Sequence, residues 1–589
     1  MSVQPEQVYA PHPKPVRAQG FFLAATDKLH RFAYPIDNLV YQRGITDIHD
    51  TRIYIEHSNK VAFCSFSPSG QLIASADELG KLRVWASNNA ENTLSMPEVQ
   101  PITGPIVDMA WTEDNQRLAL VGKGAKTYGC AINAQTGASL GDVMGHSAAV
   151  NSVALKPNRP FRMVTVGDDN TVVFYKGPPF RFDHTNREHT KFILCVRYAP
   201  DGSVFATSAL DSTVIIYDGA TGEIVNKFTQ ECSVCCLAFS PDSKQLLLAK
   251  INGHSTVINV ADGTVVQDYL IGNQVYQQQA GAVWNKDCKL TVSLNGDFNF
   301  LNDDGTFRIE RGHTTGITAC CSIPGGFVTG DTSGKVLFWH APEAPYAVYN
   351  SEAEGAPIAA IGLQGESVLV TRADGSLHVL SIADGSEIKS CSIAAKSTGS
   401  IVSAGDLAVT FCEKQLIFIR GGSAKPVELP FEATSIAIRK DGSEIAVGGK
   451  DMKVHFFDAE GKELAVATGN QKDVVAVAYS PDGSKIAASS ANREIIVWAR
   501  EDLANPLQEG WKFHTLPITK IMWKNEDCIV TVAKDRSIRV WSLAKRRKTI
   551  ESARAHEQAI TDALWLDDDT LLTVGLEGCA KTFKITPIA

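Results

Sequence analysis

A short pattern returns along this chain and limits what it can fold into. A His followed four positions later by Val or Ile occurs at His57 to Val61, His146 to Val150, His189 to Ile193, His313 to Ile317, His514 to Ile518 and His556 to Ile560. Several of these run through alternating apolar residues into a turn, as in FSPSG (Phe66 to Gly70) and YAPDG (Tyr198 to Gly202), with FSPDS (Phe239 to Ser243) and YSPDG (Tyr479 to Gly483) in sister segments. Pro presets φ at the second turn position and Gly accepts positive φ, so each run marks a pair of strands joined by a tight turn.

A second spacing accompanies the first. An Asp stands six residues before an aromatic at Asp169 to Tyr175, Asp211 to Tyr217, Asp451 to Phe457 and Asp535 to Trp541; a longer loop gives Asp77 to Trp85 and Asp331 to Trp339, and Asn492 precedes Trp498. This resembles the spacing of WD40 repeats, which have four short strands per blade, with the Asp fixing a tight turn and the His bonding toward it. Because these His and Asp residues recur in step with the repeat, they read as blade scaffolding rather than catalytic groups or metal ligands.

Thirteen repeats follow residue 51, some degenerate, such as 275–303 and 396–420, and the alternating segment Phe21 to Ile45 would supply a fourteenth. That is about 42 residues per blade, as a WD40 blade requires. The expected fold is all-β, with two seven-bladed propellers in tandem. The first is expected over residues 51–342 and the second over 1–50 plus 343–589. An unpaired sheet edge invites aggregation, so residues 20–48 are expected to close the second propeller, with 341–355 as the linker.

Composition narrows the function. The 589 residues are 44% hydrophobic, enough for a large core. No run of 18 apolar residues appears, and the start MSVQPEQVYAPHPKP has no signal-peptide character. A cytoplasmic protein without a membrane span is expected. The thirteen cysteines are scattered, several within strands such as Cys64, Cys195, Cys236 and Cys320, which suits a reducing compartment. The CxxC at Cys232 to Cys235 lacks a second pair at zinc spacing, so no metal is expected. A net charge of -9 argues against nucleic acid as partner. The basic run Lys545 to Lys548 reads as a solvated turn. There is no GxSxG, Walker A or HExxH, and Gly122, Gly124 and Gly129 in VGKGAKTYG lack the strand-to-helix context of a phosphate loop. The chain is expected to be a non-enzymatic monomer that needs no cofactor.

Function on a propeller usually sits in loop residues that depart from the repeat. Before the buried Val or Ile of the six entries stand Lys60, Ala149, Phe192, Gly316, Pro517 and Ala559. Only one is aromatic. Its neighbour Ile193 points inward, so alternation sends Phe192 outward. Phe182 is expected in the loop running from the outer strand ending at Tyr175 to the next blade, on the same face as Asp168, the extra acid before Asp169. Asp168, Phe182 and Phe192 would then share one patch of protein-binding character. Phe180 is either part of this patch or folded back on Pro178 and Pro179.

The stretch from Asn151 to Thr207, in which RPFR is followed by DDNTV, GPPFRF and EHTKF, resembles the actin-interacting protein 1 family. The likeness extends to IYIEHSNKVAFCSFSPSG (Ile53 to Gly70) and WKFHTLPITKIMW (Trp511 to Trp523) and covers nearly the whole chain. The resemblance implies a tandem WD40 cofactor of ADF/cofilin that binds actin filaments, promotes severing and limits regrowth at barbed ends. It places the actin-facing patch at Asp168, Phe182 and Phe192. Where the family carries an acid in a GEGRE-type loop, this chain has VGKGAK with Lys123 and Lys126, which alters the electrostatics of that contact. The competing expectation is a generic WD40 scaffold with a partner unrelated to actin.

Overall fold

The computed structural model describes residues 3–88, 94–125, 127–340, 345–349, 355–394, 396, 398–421, 423–545 and 549–586. Among them are fourteen four-stranded antiparallel sheets and one short 3-10 turn, Val275–Gln277. A representative sheet runs Val150–Leu155, Arg162–Gly167, Val172–Lys176 and Arg181–Asn186 in spatial order. Its middle strands are buried on both faces, as in Met163, Val164 and Val166 against Val173, Phe174 and Tyr175. That is why they read as continuous β-branched and aromatic runs.

The chain forms two compact units, one of His12–Arg311 and one of Met1–Pro11 with Gly312–Ala589. Each holds seven sheets, and the first strands of successive sheets pack on one another. In the first unit the ring closes where Phe32 meets Phe298 and Phe300 at 5.1 and 6.2 Å and the Phe21 N–H donates to the Ala280 carbonyl at 2.9 Å. In the second, the Thr561 hydroxyl donates to the Ile317 carbonyl at 2.7 Å and the Cys320 N–H to the Asp562 carboxylate at 3.0 Å.

The expected boundaries require correction. Residues 24–54 make their own sheet in the first unit, and the sheet beginning at Ile317 belongs to the second. Six repeats plus the 24–54 sheet therefore complete the first ring. The second needs only one strand from the N-terminal segment: Val3–Tyr9 pairs antiparallel with Ala580–Ile585, and the Tyr9 ring packs edge-on against Phe327 and Trp339.

The repeated His and Asp residues bind each other. His146 contacts the Asp169 carboxylate at 3.0 Å and the Thr165 hydroxyl at 2.7 Å; His189, His313 and His514 do the same with Asp211 and Thr207, Asp331 and Thr329, Asp535 and Thr531. In the last blade Glu577 replaces the Asp. His57 departs from the scheme: its Nε2 meets the Ser75 hydroxyl at 2.7 Å. Burial, reinforced by the Arg83 charge, lowers its pKa to about 4.

A second regularity shapes the first ring. In six of its seven sheets the innermost strand carries one unpaired residue after its first pair, namely Ala62, Val107, Asn151, Leu194, Cys235 and Ala280. Such a bulge breaks the period-two alternation and re-aims the side chain.

Deleting residues 3–9 leaves the Ala580–Ile585 edge unpaired. The second unit should then melt at lower temperature and associate, with the first unchanged, as read by calorimetry with protease mapping. The depressed His57 pKa gives a second expectation. The unfolded chain takes up this proton near pH 6.5 and the folded chain only near pH 4, so stability falls as the pH drops through that window. The loss is about 3 kcal/mol, and His57→Gln should flatten it in denaturant titrations across the same range.

Candidate functional site

The expected site residues lie in the first ring, around the sheet that starts at Val150 and the one that starts at Ile193. The turn after Gly167 carries two acids with different fates. Asp169 is consumed by the scaffold: burial alone would raise its pKa, but hydrogen bonds from His146, the Ser147 N–H and the Thr171 hydroxyl hold it well below the usual carboxylate range. Asp168 is half-buried, and its carboxylate accepts from the Asn151 side-chain amide at 2.7 Å. The same amide donates to the Ile193 carbonyl at 3.0 Å, tying the turn to the next blade.

Phe192 stands immediately before Ile193, its carbonyl accepting from the Leu210 N–H at 3.0 Å while its ring is 48% exposed. Asp168 and Phe192 come together with Lys123, Asn151, Arg17 and Phe22 around a recess of about 290 Å³. Val107, Asn151 and Leu194, the bulge residues of three successive blades, all line it. The bulge is thus the local device that turns inner-strand side chains toward this opening.

Phe182 is placed differently from the expectation. It lies in a strand, Arg181–Asn186, not in a loop, and its backbone stands opposite Tyr175. That is toward the end of the sheet away from the Asp168 turn, because Val166 and Val172, next to that turn, are level with Asn186. The ring is 50% exposed and crosses Gly145, where a Cβ would sit 2.8 Å from it; the φ of +97° also favours glycine there. Gly145 adjoins His146, which binds Asp169 beside Asp168. Phe182 therefore stands outside the recess but is joined to its edge through the scaffold.

Phe180 is a correction. It is buried in the core shared by the blades on either side, and its N–H donates to the Leu140 carbonyl at 3.0 Å; it lies in the turn just before the outer strand Arg181–Asn186. Lys123 is exposed on the recess wall. Lys126 lies outside the described residues.

Among the described residues only three phenylalanines are exposed, Phe182, Phe192 and Phe513, and two of them flank this site. Phe513, in the second unit beside exposed Leu516, is not singled out by the repeat pattern because Pro517 holds the position that Phe192 occupies in its own repeat. Asn151 and Arg17 were also missed. Strict alternation hides a bulge residue, and Arg17 belongs to the N-terminal segment 1–50, expected in the other ring, whereas it lies in the unit His12–Arg311. A polar residue between Val150 and Ser152 was the only available signal for Asn151.

The WD domain, G-beta repeat, matches residues 49–86, 137–176, 181–218 and 461–499. Over its full length the chain is similar to "Actin-interacting protein 1" of Drosophila melanogaster, 33% identical over 99% of this chain and 98% of that protein. The chain belongs to the actin-interacting protein 1 family. It is also 31% identical to the "66 kDa stress protein" of Physarum polycephalum over 99% of this chain and 100% of that one. "WD repeat-containing protein 1" of Xenopus tropicalis is 30% identical over the whole of both chains. For this family member, the two neighbouring phenylalanines should separate cleanly by substitution. Phe180→Ala should cost about 3 to 5 kcal/mol in denaturant unfolding, and Phe182→Ala within about 1 kcal/mol.

Proposed function

We propose that this protein binds actin filaments together with ADF/cofilin and promotes their disassembly by severing and by limiting barbed-end regrowth, without catalysing a reaction. The observation that carries the reading is two half-exposed phenylalanines on one hydrogen-bonded frame, Phe192 on the recess with Asp168 and Phe182 outside it across Gly145. Aromatic rings held exposed by rigid backbone lose little entropy on contact and have the composition of interface hot spots. The names of full-length relatives support actin as the partner.

The mechanism needs no bond to be made or broken by this chain. A patch that binds the cofilin-altered filament more tightly than the bare one shifts the filament population toward the altered state, by as much as the difference in affinity and no more. The protein would act as a monomer in the cytoplasm. The family resemblance implies an acid near Lys123, so the charge contribution to docking would differ from that of a member with the acidic loop.

Co-sedimentation with actin, with and without cofilin, tests this. Wild type should pellet preferentially with cofilin-decorated filaments, and a Phe182→Ala, Phe192→Ala double variant should lose at least about 2 kcal/mol, roughly thirtyfold in affinity. Undiminished severing by the double variant rejects the residue assignment. Absence of wild-type pelleting in both conditions rejects actin and favours a WD40 scaffold with another partner.

A further inference from the structure

We propose that the recess in the first ring is a receptor for an acidic chain segment, with Arg17 and Lys123 as its counter-charges and the Phe192 ring as its apolar wall. The identity of the partner bearing that segment rests on the filament reading; the chemistry of the recess does not.

The charge balance comes first. Arg17, Lys123 and Asp168 are the ionisable residues lining the recess. Among the described residues neither Arg17 nor Lys123 forms an ion pair, whereas the Asp168 carboxylate already accepts from Asn151. The lining carries two cations against one carboxylate, Asp168, whose bond from the neutral Asn151 amide leaves its charge in place, so the excess positive charge favours an entering carboxylate over a basic side chain. The Arg17 guanidinium can take a carboxylate through two parallel hydrogen bonds, whereas Lys123 acts as a point charge beside it.

The cations are also held in place. Arg17 sits in a turn closed by the Gln19 N–H on the Val16 carbonyl at 3.2 Å, with Ala18 at φ +58°. The chain is then anchored by the Phe21 N–H on Ala280 and by buried Phe22, whose ring lies 4.4 Å from the Arg197 guanidinium. Arg197 is fixed in turn by Asp108 at 2.8 Å, and the Ser152 hydroxyl donates to the same carboxylate at 2.6 Å. Lys123 has its backbone N–H on the Pro105 carbonyl at 3.1 Å. Ordering on binding is thus confined to side chains, which lowers the entropic cost. The volume of about 290 Å³ corresponds to about ten waters, room for two or three side chains of a loop.

Two measurements test the proposal. In fluorescence anisotropy at low salt, a labelled oligoglutamate peptide should bind wild type more tightly than an oligolysine control. Arg17→Glu and Lys123→Glu should each weaken it about fivefold and flatten its salt dependence, with both variants melting as wild type. Equal binding of the two peptides, no oligoglutamate binding, or indifference to both charge reversals overturns the proposal. Co-sedimentation of the same variants with cofilin-decorated actin separates the two ideas. If wild type takes the acidic peptide through Arg17 but does not pellet with filaments, the filament reading fails and the recess chemistry stands. Normal pelleting of wild type combined with any of the overturning peptide results leaves the filament reading standing and removes this one.

Discussion

A four-stranded sheet with both faces apolar cannot exist alone in water, and everything in this structure depends on each sheet finding a neighbour on either side. Closure into seven-membered rings meets that demand without a free end. In the first ring Phe32 against Phe298 joins the first sheet to the last; in the second, residues 3–9 complete the sheet that ends the chain. Within each closed ring the starts of the inner strands are fixed relative to one another. Three bulge residues from successive blades can therefore line one recess without any loop being long.

The frame and the site use different chemistry. His146, Asp169 and Thr165 satisfy one another and leave nothing for a partner. One position earlier, Asp168 is held on one side by Asn151 and faces an opening shared with Phe192 and Lys123. Adjacent acids thus separate into scaffold and surface. A surface built in this way can carry either charge at an exposed position such as Lys123 without disturbing the ladder beneath it.

Much of this could be read from the sequence, for a physical reason: turn chemistry, alternation and the His-to-Asp spacing are local, and they announce fourteen blades of one kind. Which repeat belongs to which ring is not local. The sheets at 24–54 and 317–349 carry no mark of the partner they will pack on, and the difference lies in contacts such as Phe32 to Phe298 and Thr561 to Ile317. Exposure of Phe192 followed from its neighbour Ile193. Phe180 and Phe182 differ by two positions, which ideal alternation would place on one face; Phe180 lies in the turn before the strand Arg181–Asn186, where strand alternation does not apply. Asn151 escaped because a bulge has no signature in hydrophobic pattern.

The strand that seals the second ring has a consequence for biogenesis. Residues 3–9 leave the ribosome long before residues 580–585, so their partner is missing for most of translation, roughly half a minute to two minutes at typical elongation rates. The ring formed by His12–Arg311 has all of its strands well before then. The nascent chain therefore carries a finished first half next to an unmated strand. Chaperone protection during synthesis should be demanded by the blades of the second ring, which stay unclosed until that short strand meets its partner.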